Sequence, residues 1–466
     1  MATTRTERTP DERQLMLSPR NFMQAAWGMG VEEAQVRAQS ARIVTTGAVF
    51  EIDATKGRIV CRARLPSPRR VVTVQVAPAR LTGMRVAAEG SGALILRADR
   101  GRTTLRVNCD SLLHISTRRG AEVTLHCHIE PELRSVWLAN LMRLDPDGGF
   151  GAYVIGDGAL RETPRGAIFF LQPADVLLVG IFPPKPYPQK RADEEVVVCH
   201  PPVSVKHPYW ERPEMEDIAR WGKVLLPANE MQWWKRWNME FEPRHSRRWA
   251  RTIRWAHELG MRIFVYASPF YFYRGSRYEP WADQYPEAMI IPGVADGENV
   301  EVYLAEIKRL LNTEAIAPDG LYFDGLYLGS VARSYYLVRK AREILGDDRM
   351  LMLHTTGNPP GAGYVKGWCP FLYCPFIDTW GDYNFRGEAQ EGRYLEPEYL
   401  RYFISGYNIS NTIGLLCNNG DPTLTRELVE QVLAAQARLM IFSPPSPGNA
   451  KLLRGLYFPR LRAEKG

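Results

Sequence analysis

The 466-residue chain has no pair of CxxC motifs, no GxGxxG following a strand, no GxxxxGK[ST] and no HExxH. The first absence removes a structural zinc, which takes four thiolate or imidazole ligands at short paired spacings. The missing glycine patterns are those that bring backbone N–H groups onto a phosphate, so a nucleotide-binding enzyme is disfavoured; KVLLPANE (223–230) ends without them. Long apolar runs are missing too. The most apolar stretch, GAIFFLQPADVLLVGIF, is interrupted by Gln172, Pro173 and Asp175, and the opening MATTRTERTPDERQLMLSPR is polar and Arg-rich. Neither export nor membrane spanning is expected. Cysteine is sparse and odd in number: Cys61, Cys109, Cys127, Cys199, Cys369, Cys374 and Cys417. That fits buried free thiols in a reducing compartment, hence a cytoplasmic protein.

Charge is present but not concentrated. The formal +7 arises from 59 Lys and Arg interleaved with 52 Asp and Glu, a solvated surface and not a nucleic-acid face. With 45% hydrophobic residues the chain can bury substantial cores, and its length implies two domains.

Two grammars divide it. From about Thr45 to Cys199 short segments alternate with period two, as in TTLRVNC (Leu105, Val107, Cys109) and EVTLHCHIE (Val123, Leu125, Cys127, Ile129). Turns carry Gly and Asp (ADRG, TRRG, DPDGG, GDG), so an antiparallel β-sandwich is expected over 45–200, after an N-terminal segment 1–44. His126 and His128 share one strand face, the geometry of a metal pair; with no third ligand nearby they read as a solvent-facing pair. Prolines in FPPKPYPQKRADEE (182–195) and HPPVSVKHP break both ladder and helix and mark the boundary.

Over 201–466, strand and helix alternate. KVLLPANE, MRIFVYASP (261–269), GLYFDG, MLMLH (350–354), FIDTW (376–380) and NTIGLLC (411–417) read as strands. SRRWARTIRWAHELG (246–260), ENVEVYLAEIKRLLN (298–312), VARSYYLVRKAREILG (331–346) and LTRELVEQVLAAQARLM (424–440) read as helices. Uninterrupted apolar strands between helices predict a parallel sheet covered on both faces, a (β/α)8 TIM-like barrel whose last strands come from around Ile441 and LYF (456–458).

In such a barrel the chemistry sits where strands end, because those ends open onto the loops. The tails carry Asn229 and Glu230, Tyr266 and Ser268, Asp324, His354, Asp378 with Trp380, and Asn418 with Asn419. Asp324 follows Tyr322 and Phe323 and precedes Gly325, which lets the backbone turn sharply beside a ligand. Nearby segments MQWWKRWNMEF, SPFYFYRGSRYEPW and DTWGDYNFRGE mix Trp and Tyr with charge, the combination that stacks on a sugar ring and grips its hydroxyls. Glycoside hydrolysis takes two carboxyl groups. Asp324 is the expected nucleophile or electrostatic stabiliser and Glu388 the expected acid, with Asp382, Asp378 and Glu230 as rivals for the acid. The expected substrate-binding set is Glu230, Trp234, Tyr266, Tyr322, His354, Asp378, Trp380, Asp382 and Asn418, acting on a carbohydrate without cofactor or metal.

The stretch 229–419, through DGLYFDG, MLMLHTTG and FIDTWGDYNFRGE, resembles the catalytic barrels of bacterial glycoside hydrolases related to β-N-acetylgalactosaminidases, the family 123-like group, and more distantly α-galactosidase-type barrels. The resemblance implies a β-sandwich followed by a barrel and a site role for Asp324. It departs at one place: the adjacent Asp-Glu pair that serves acetamido-assisted hydrolysis in those enzymes is Asp324–Gly325 here. A small oligosaccharide or glycoside is the expected substrate. Two alternatives stand beside it: a non-catalytic carbohydrate-binding or scaffold protein on a degenerate hydrolase barrel, and a metal-dependent hydrolase built on His354, Asp324 and Glu230.

Overall fold

The structure, a computed structural model, describes residues 12–65, 70–77, 81–128, 133–137, 140–145, 148–186, 197–200, 210–227, 234–236, 240–241, 243–266, 298–323, 331–354, 374–388, 412–416, 424–434 and 438–463.

The N-terminal half holds two eight-stranded antiparallel sheets. One runs from the edge strand Val31–Arg37 through Ala121–Cys127 to Ala159–Thr163; the other runs from Leu133–Trp137 through Val176–Phe182 to Arg85–Gly90. The first sheet therefore begins at Val31, ahead of the expected Thr45. Period two holds as read: Val123, Leu125 and Cys127 are buried while Glu122 and His126 are exposed. Residues of both sheets, among them Val74, Leu125, Phe169, Leu105 and Leu177, form one core between them.

Val176–Phe182 shows why its sequence is apolar throughout. Leu177, Val179 and Ile181 join the core between the sheets, whereas Val176, Leu178 and Phe182 join a second core shared with the helices of the C-terminal half. A strand covered on both faces has no solvent side to mark with polar residues. Each such side chain stabilises the fold by about 1.5–3 kcal/mol relative to exposure.

The C-terminal half is one parallel sheet. Its order is Val197–His200, Val224–Pro227, Arg262–Tyr266, Gly320–Phe323, Met350–His354, Tyr383–Glu388, Thr412–Leu416 and Arg438–Leu439. After Met440 the same segment continues as Ile441–Phe442, which pairs in parallel with the first strand (Val198↔Ile441, Cys199↔Phe442). Residues 438–442 thus pair on both sides, and the sheet returns to where it began.

Four sequence expectations change here. Val197–His200 belongs to the parallel sheet and not to the antiparallel run. FIDTW lies in the helix Cys374–Asp378 and the turn after it, and the strand of that unit is Tyr383–Glu388. LYF lies in the helical segments Leu453–Tyr457 and Phe458–Ala463. The helix expected over 424–440 is Arg426–Ala434, with a strand already at Arg438.

Alternation along the parallel strands separates two faces. Leu321 and Phe323 pack with the covering helices, the Phe323 ring centroid 6.0 Å from that of Tyr303. Gly320 and Tyr322 take the opposite face, where a Cβ at Gly320 would collide with the Phe264 ring and the Met350 carbonyl. Glycine is required at that close approach. The helices read as expected: Trp249, Ile253 and Ala256 are buried along Pro243–Glu258. Val331–Leu345 is closed by Gly346 at φ 69°, whose N–H donates to Arg342 O at 3.0 Å.

The halves meet along the second antiparallel sheet. Gly151 and Gly180 are register partners, and a Cβ at Gly180 would come within 2.6 Å of the Phe376 ring. The glycine pair opens a slot that Phe376 fills, with Phe182 edge-on at 5.3 Å. Beside it the segment around Phe22 and Trp27 is clamped between cations: Arg106 and Arg339 lie 5.1 and 4.6 Å from the Phe22 centroid, and Lys185 and Arg342 lie 4.6 and 4.0 Å from that of Trp27.

Candidate functional site

Backbone register orders the C-terminal strand ends. Tyr266 pairs with Tyr322, Tyr322 with Met352, Met352 with Tyr383, and His354 with Phe385. The strand Gly320–Phe323 ends one residue before Asp324 in the sequence. Glu388 ends Tyr383–Glu388 and pairs with Leu416, after a register shift between Arg386 and Glu388. The shift is a β-bulge, one extra residue at Gly387. One strand, Met350–His354, lies between the strands that end at Phe323 and Glu388, and Phe323 registers through Leu353 with Asn384, four residues before Glu388.

The expected site residues therefore fall into three groups. Tyr266, Tyr322, His354 and Glu388 stand in the last two positions of neighbouring strands, and Tyr322 is buried. Trp234 lies in a two-stranded hairpin, Trp234–Arg236 with Glu240–Phe241, beyond the strand Val224–Pro227. Asp324, Glu230 and Asn418 lie outside the described residues.

Asp378, Trp380 and Asp382 form the third group, and the structure corrects their expected position. They precede Tyr383–Glu388, at the N-terminal end of the sheet, opposite the strand tails. All three are buried. Asp382 Oδ2 accepts the Leu351 N–H at 2.7 Å and a guanidinium N–H of Arg342, whose Nε donates to Trp380 O at 3.0 Å. Asp378 O accepts from Asn384 Nδ2 at 3.1 Å. The same device recurs one strand pair away. Asp319 Oδ2 accepts the Ile263 N–H at 2.8 Å and lies 2.9 Å from His257 Nε2. In each case a carboxylate just before a strand ties it to the neighbouring strand and to a side chain of a covering helix, Arg342 or His257, which is scaffold chemistry at the end of a parallel sheet that serves stability.

Sequence reading missed a polar cluster where the halves meet. Asp110, in the turn after Thr103–Asn108, accepts from Tyr335 Oη at 2.5 Å and from Trp380 Nε1 at 3.2 Å, with Arg339 Nη1 3.8 Å from its other oxygen. Arg339 also donates to Tyr335 Oη at 3.0 Å and to Phe22 O at 2.9 Å. Arg106 donates to Asn108 Oδ1, to Ser18 O at 2.8 Å and to Asn21 O. Asn108 Nδ2 lies 3.1 Å from His114 Nε2. Burial pushes the Asp110 carboxyl up against the opposing pull of Arg339. It drives His114 well below its usual value, with Arg106 and Arg339 adding repulsion. Burial also holds Arg106 down to about 10 and lifts Cys109 to about 11. The available signal was the spacing of Tyr335, Arg339 and Arg342 at i, i+4, i+7, which sets polar groups on a buried helical stripe.

Elsewhere His126 and His128 are exposed, their ring centroids 6.3 Å apart, and among the described residues no group of three metal-ligating side chains forms. Among the described residues no helix is long and apolar enough to cross a membrane.

No family model and no curated protein matches the chain. Solved structures do. An α-galactosidase from Thermus thermophilus in complex with stachyose is 13% identical, covering 83% of this chain and 97% of its own, at a TM-score of 0.39. An α-galactosidase from Lactobacillus brevis is 8% identical over 94% of this chain and 70% of its own, at 0.40. A GH31 dextranase from Flavobacterium johnsoniae, complexed with isomaltotriose, is 8% identical over 94% and 69%, at 0.44. These three are glycoside hydrolases at low identity.

Proposed function

We propose that the protein is a glycoside hydrolase that cleaves a small oligosaccharide or glycoside with two carboxyl groups at the C-terminal ends of a (β/α)8 barrel. In this reading residues 31–182 form a β-sandwich and residues 197–463 the catalytic barrel, eight parallel strands with 438–442 as the last. Asp324 is the nucleophile or electrostatic stabiliser and Glu388 the acid. Glu230, Trp234, Tyr266, Tyr322, His354 and Asn418 line the sugar site.

The observation that carries the reading is the bulge before Glu388. Leu415 pairs with Leu439, which packs with the covering helices, and Arg386 pairs with Leu415. Without an extra residue, simple alternation would put position 388 on that helix-facing side. The bulge instead pairs Glu388 with Leu416, on the opposite face, which is also the face of Tyr322. In this reading Glu388 and the Asp324 that follows Phe323 in the sequence flank the glycosidic bond. Their separation selects the outcome: about 5 Å for retention and about 6.5–9.5 Å for inversion. Asp324–Gly325 in place of an Asp-Glu pair favours a sugar without acetamido participation. The buried free thiols Cys61, Cys109 and Cys127 support a cytoplasmic setting.

The test is a hydrolysis screen of purified protein against aryl glycosides of both anomers, with and without 2-acetamido groups, run beside Asp324→Asn and Glu388→Gln. Turnover of one sugar that both variants lose supports the reading. Sugar binding without turnover in the wild type replaces it with a carbohydrate-binding scaffold. Turnover that a chelator abolishes replaces it with metal-dependent hydrolysis.

A further inference from the structure

The elements that Asp110 joins are those that frame the two proposed carboxylates. Tyr335 belongs to the helix Val331–Leu345, which follows Gly320–Phe323 and the residues beginning at Asp324. Trp380 belongs to the turn that leads into Tyr383–Glu388. One buried carboxylate from the antiparallel half accepts from both at once. We infer that Asp110 is a positioning residue for the site, fixing the strand that leads to Asp324 relative to the strand that ends at Glu388. This rests on the reading of Asp324 and Glu388 as the catalytic pair; Asp110 itself touches no substrate.

A carboxylate suits the task because it accepts two donors from different elements along fixed directions. An apolar side chain of similar size would leave the Tyr335 hydroxyl and Trp380 Nε1 without an acceptor in a buried site. It would also remove one of the two carboxylates that flank the fully buried Arg339, leaving only Glu343, 3.8 Å from its Nε. Arg342 adds a second tie between the same helix and turn, through Trp380 O and Asp382. The helix and turn are therefore locked twice. Arg342 works within the C-terminal half, whereas Asp110 anchors the pair to the antiparallel sheet. That gives the N-terminal half a part in catalysis through geometry: reacting groups must be held to within a fraction of an ångström, and a misplacement of about 1 Å can cost on the order of a hundredfold in rate.

The experiment uses the full chain with Asp110→Ala, Tyr335→Phe, Trp380→Phe and the last two combined. Each is followed by thermal midpoint, by hydrogen–deuterium exchange, and by kcat and KM on the aryl glycoside that the wild type hydrolyses. Tyr335→Phe removes one oxygen and keeps the ring, so it reports even where Asp110→Ala fails to fold. The expected result has three parts. For each folded variant kcat falls on the order of tenfold or more while KM stays within about twofold. The double variant falls no further than Asp110→Ala, because the three groups act as one tie. Amide exchange rises at residues 320–323 and 383–388, none of which is substituted. Unchanged kcat in variants whose midpoint drops would overturn the inference and reduce Asp110 to a packing role. If the wild type hydrolyses nothing, the reading of the site fails by itself; exchange at 320–323 and 383–388 then decides the tie, and unaltered protection there ends it.

Discussion

Asp382 and Asp324 look alike in the sequence, each a carboxylate beside a short aromatic strand, GDYNF in one case and LYFDG in the other. Asp382 precedes its strand and Asp324 follows one, and in a parallel sheet that difference of direction separates two kinds of work. Carboxylates at the N-terminal ends, Asp382 and Asp319, accept a backbone N–H of the adjacent strand and face a helix side chain, Arg342 and His257 respectively. In the proposed reading Asp324, after the C-terminal end of its strand, has no following strand to brace and meets the substrate instead. Position along the strand, more than residue type or neighbouring aromatics, assigns the role.

The comparison breaks most sharply on activity. Asp324→Asn should lower turnover by roughly 10²–10⁴-fold, the scale of a lost acid, base or nucleophile, with a thermal midpoint close to that of the wild type. Asp382→Asn should do the reverse, losing stability first and activity only as the protein unfolds. Steady-state kinetics beside thermal denaturation on both variants checks this, and equal activity losses at equal stability would dissolve the distinction between the two ends.

Next in size is the cation that Asp382 faces. Arg342 is fully buried against Asp382 and Trp380. Arg342→Ala would strand a buried carboxylate, and the expected cost is about 3–5 kcal/mol in urea unfolding. Arg42→Ala on the outer face of the first sheet removes the ion pair to Glu33, where both side chains are nearly half exposed, and should cost less than about 1 kcal/mol. Between these lies Gly180→Ala, which pushes a methyl group into the Phe376 ring and should cost about 1–3 kcal/mol by overpacking. A small loss for Arg342→Ala, matching that of Arg42→Ala, would mean that the N-terminal ends are not the rigid scaffold described.

Much of this was legible in the sequence, for physical reasons that also mark its limit. Alternation exposed the strand Ala121–Cys127, and apolar runs between helical stripes exposed Gly320–Phe323 and Met350–His354, because local burial writes a local period. The closing strand was anticipated near Ile441, but its two residues per side carry too little pattern to be read alone. FIDTW misled because Phe376, Ile377 and Trp380 are apolar for a tertiary reason: they fill the slot at Gly151 and Gly180 and cover Asp110. A helix end and turn that carry Phe376, Ile377 and Trp380 within five residues imitate a strand, and Asp378 and Trp380 then read as its tail. The Asp110 cluster draws on residues more than 200 positions apart, and no window of sequence contains it.

The smallest effect expected is a slope. His114 is buried, accepts from Asn108 through Nε2, and its Nδ1 finds no partner among the described residues. Its pKa is pushed well below 6.5, first by burial and then by Arg106 and Arg339. The unfolded chain therefore binds a proton that the native state refuses. The stability this represents is complete above about pH 6.5 and is lost progressively as pH falls toward the depressed native value, by at most ~1.4 kcal/mol per pH unit. Asp110 works in the opposite sense over its own window: its raised pKa means that its contribution is largest below the ordinary carboxylate value and declines as pH rises through the native one. The net pH dependence of the junction is the difference of the two, so the wild-type curve alone does not isolate either. His114→Gln keeps an acceptor for Asn108 and removes the titration. Urea unfolding of both proteins between pH 7 and pH 5 should converge as pH falls, the variant losing less. Parallel curves would show that His114 takes up its proton in the native state as readily as in the unfolded chain, which would require a compensating anion beside it and a different account of the junction.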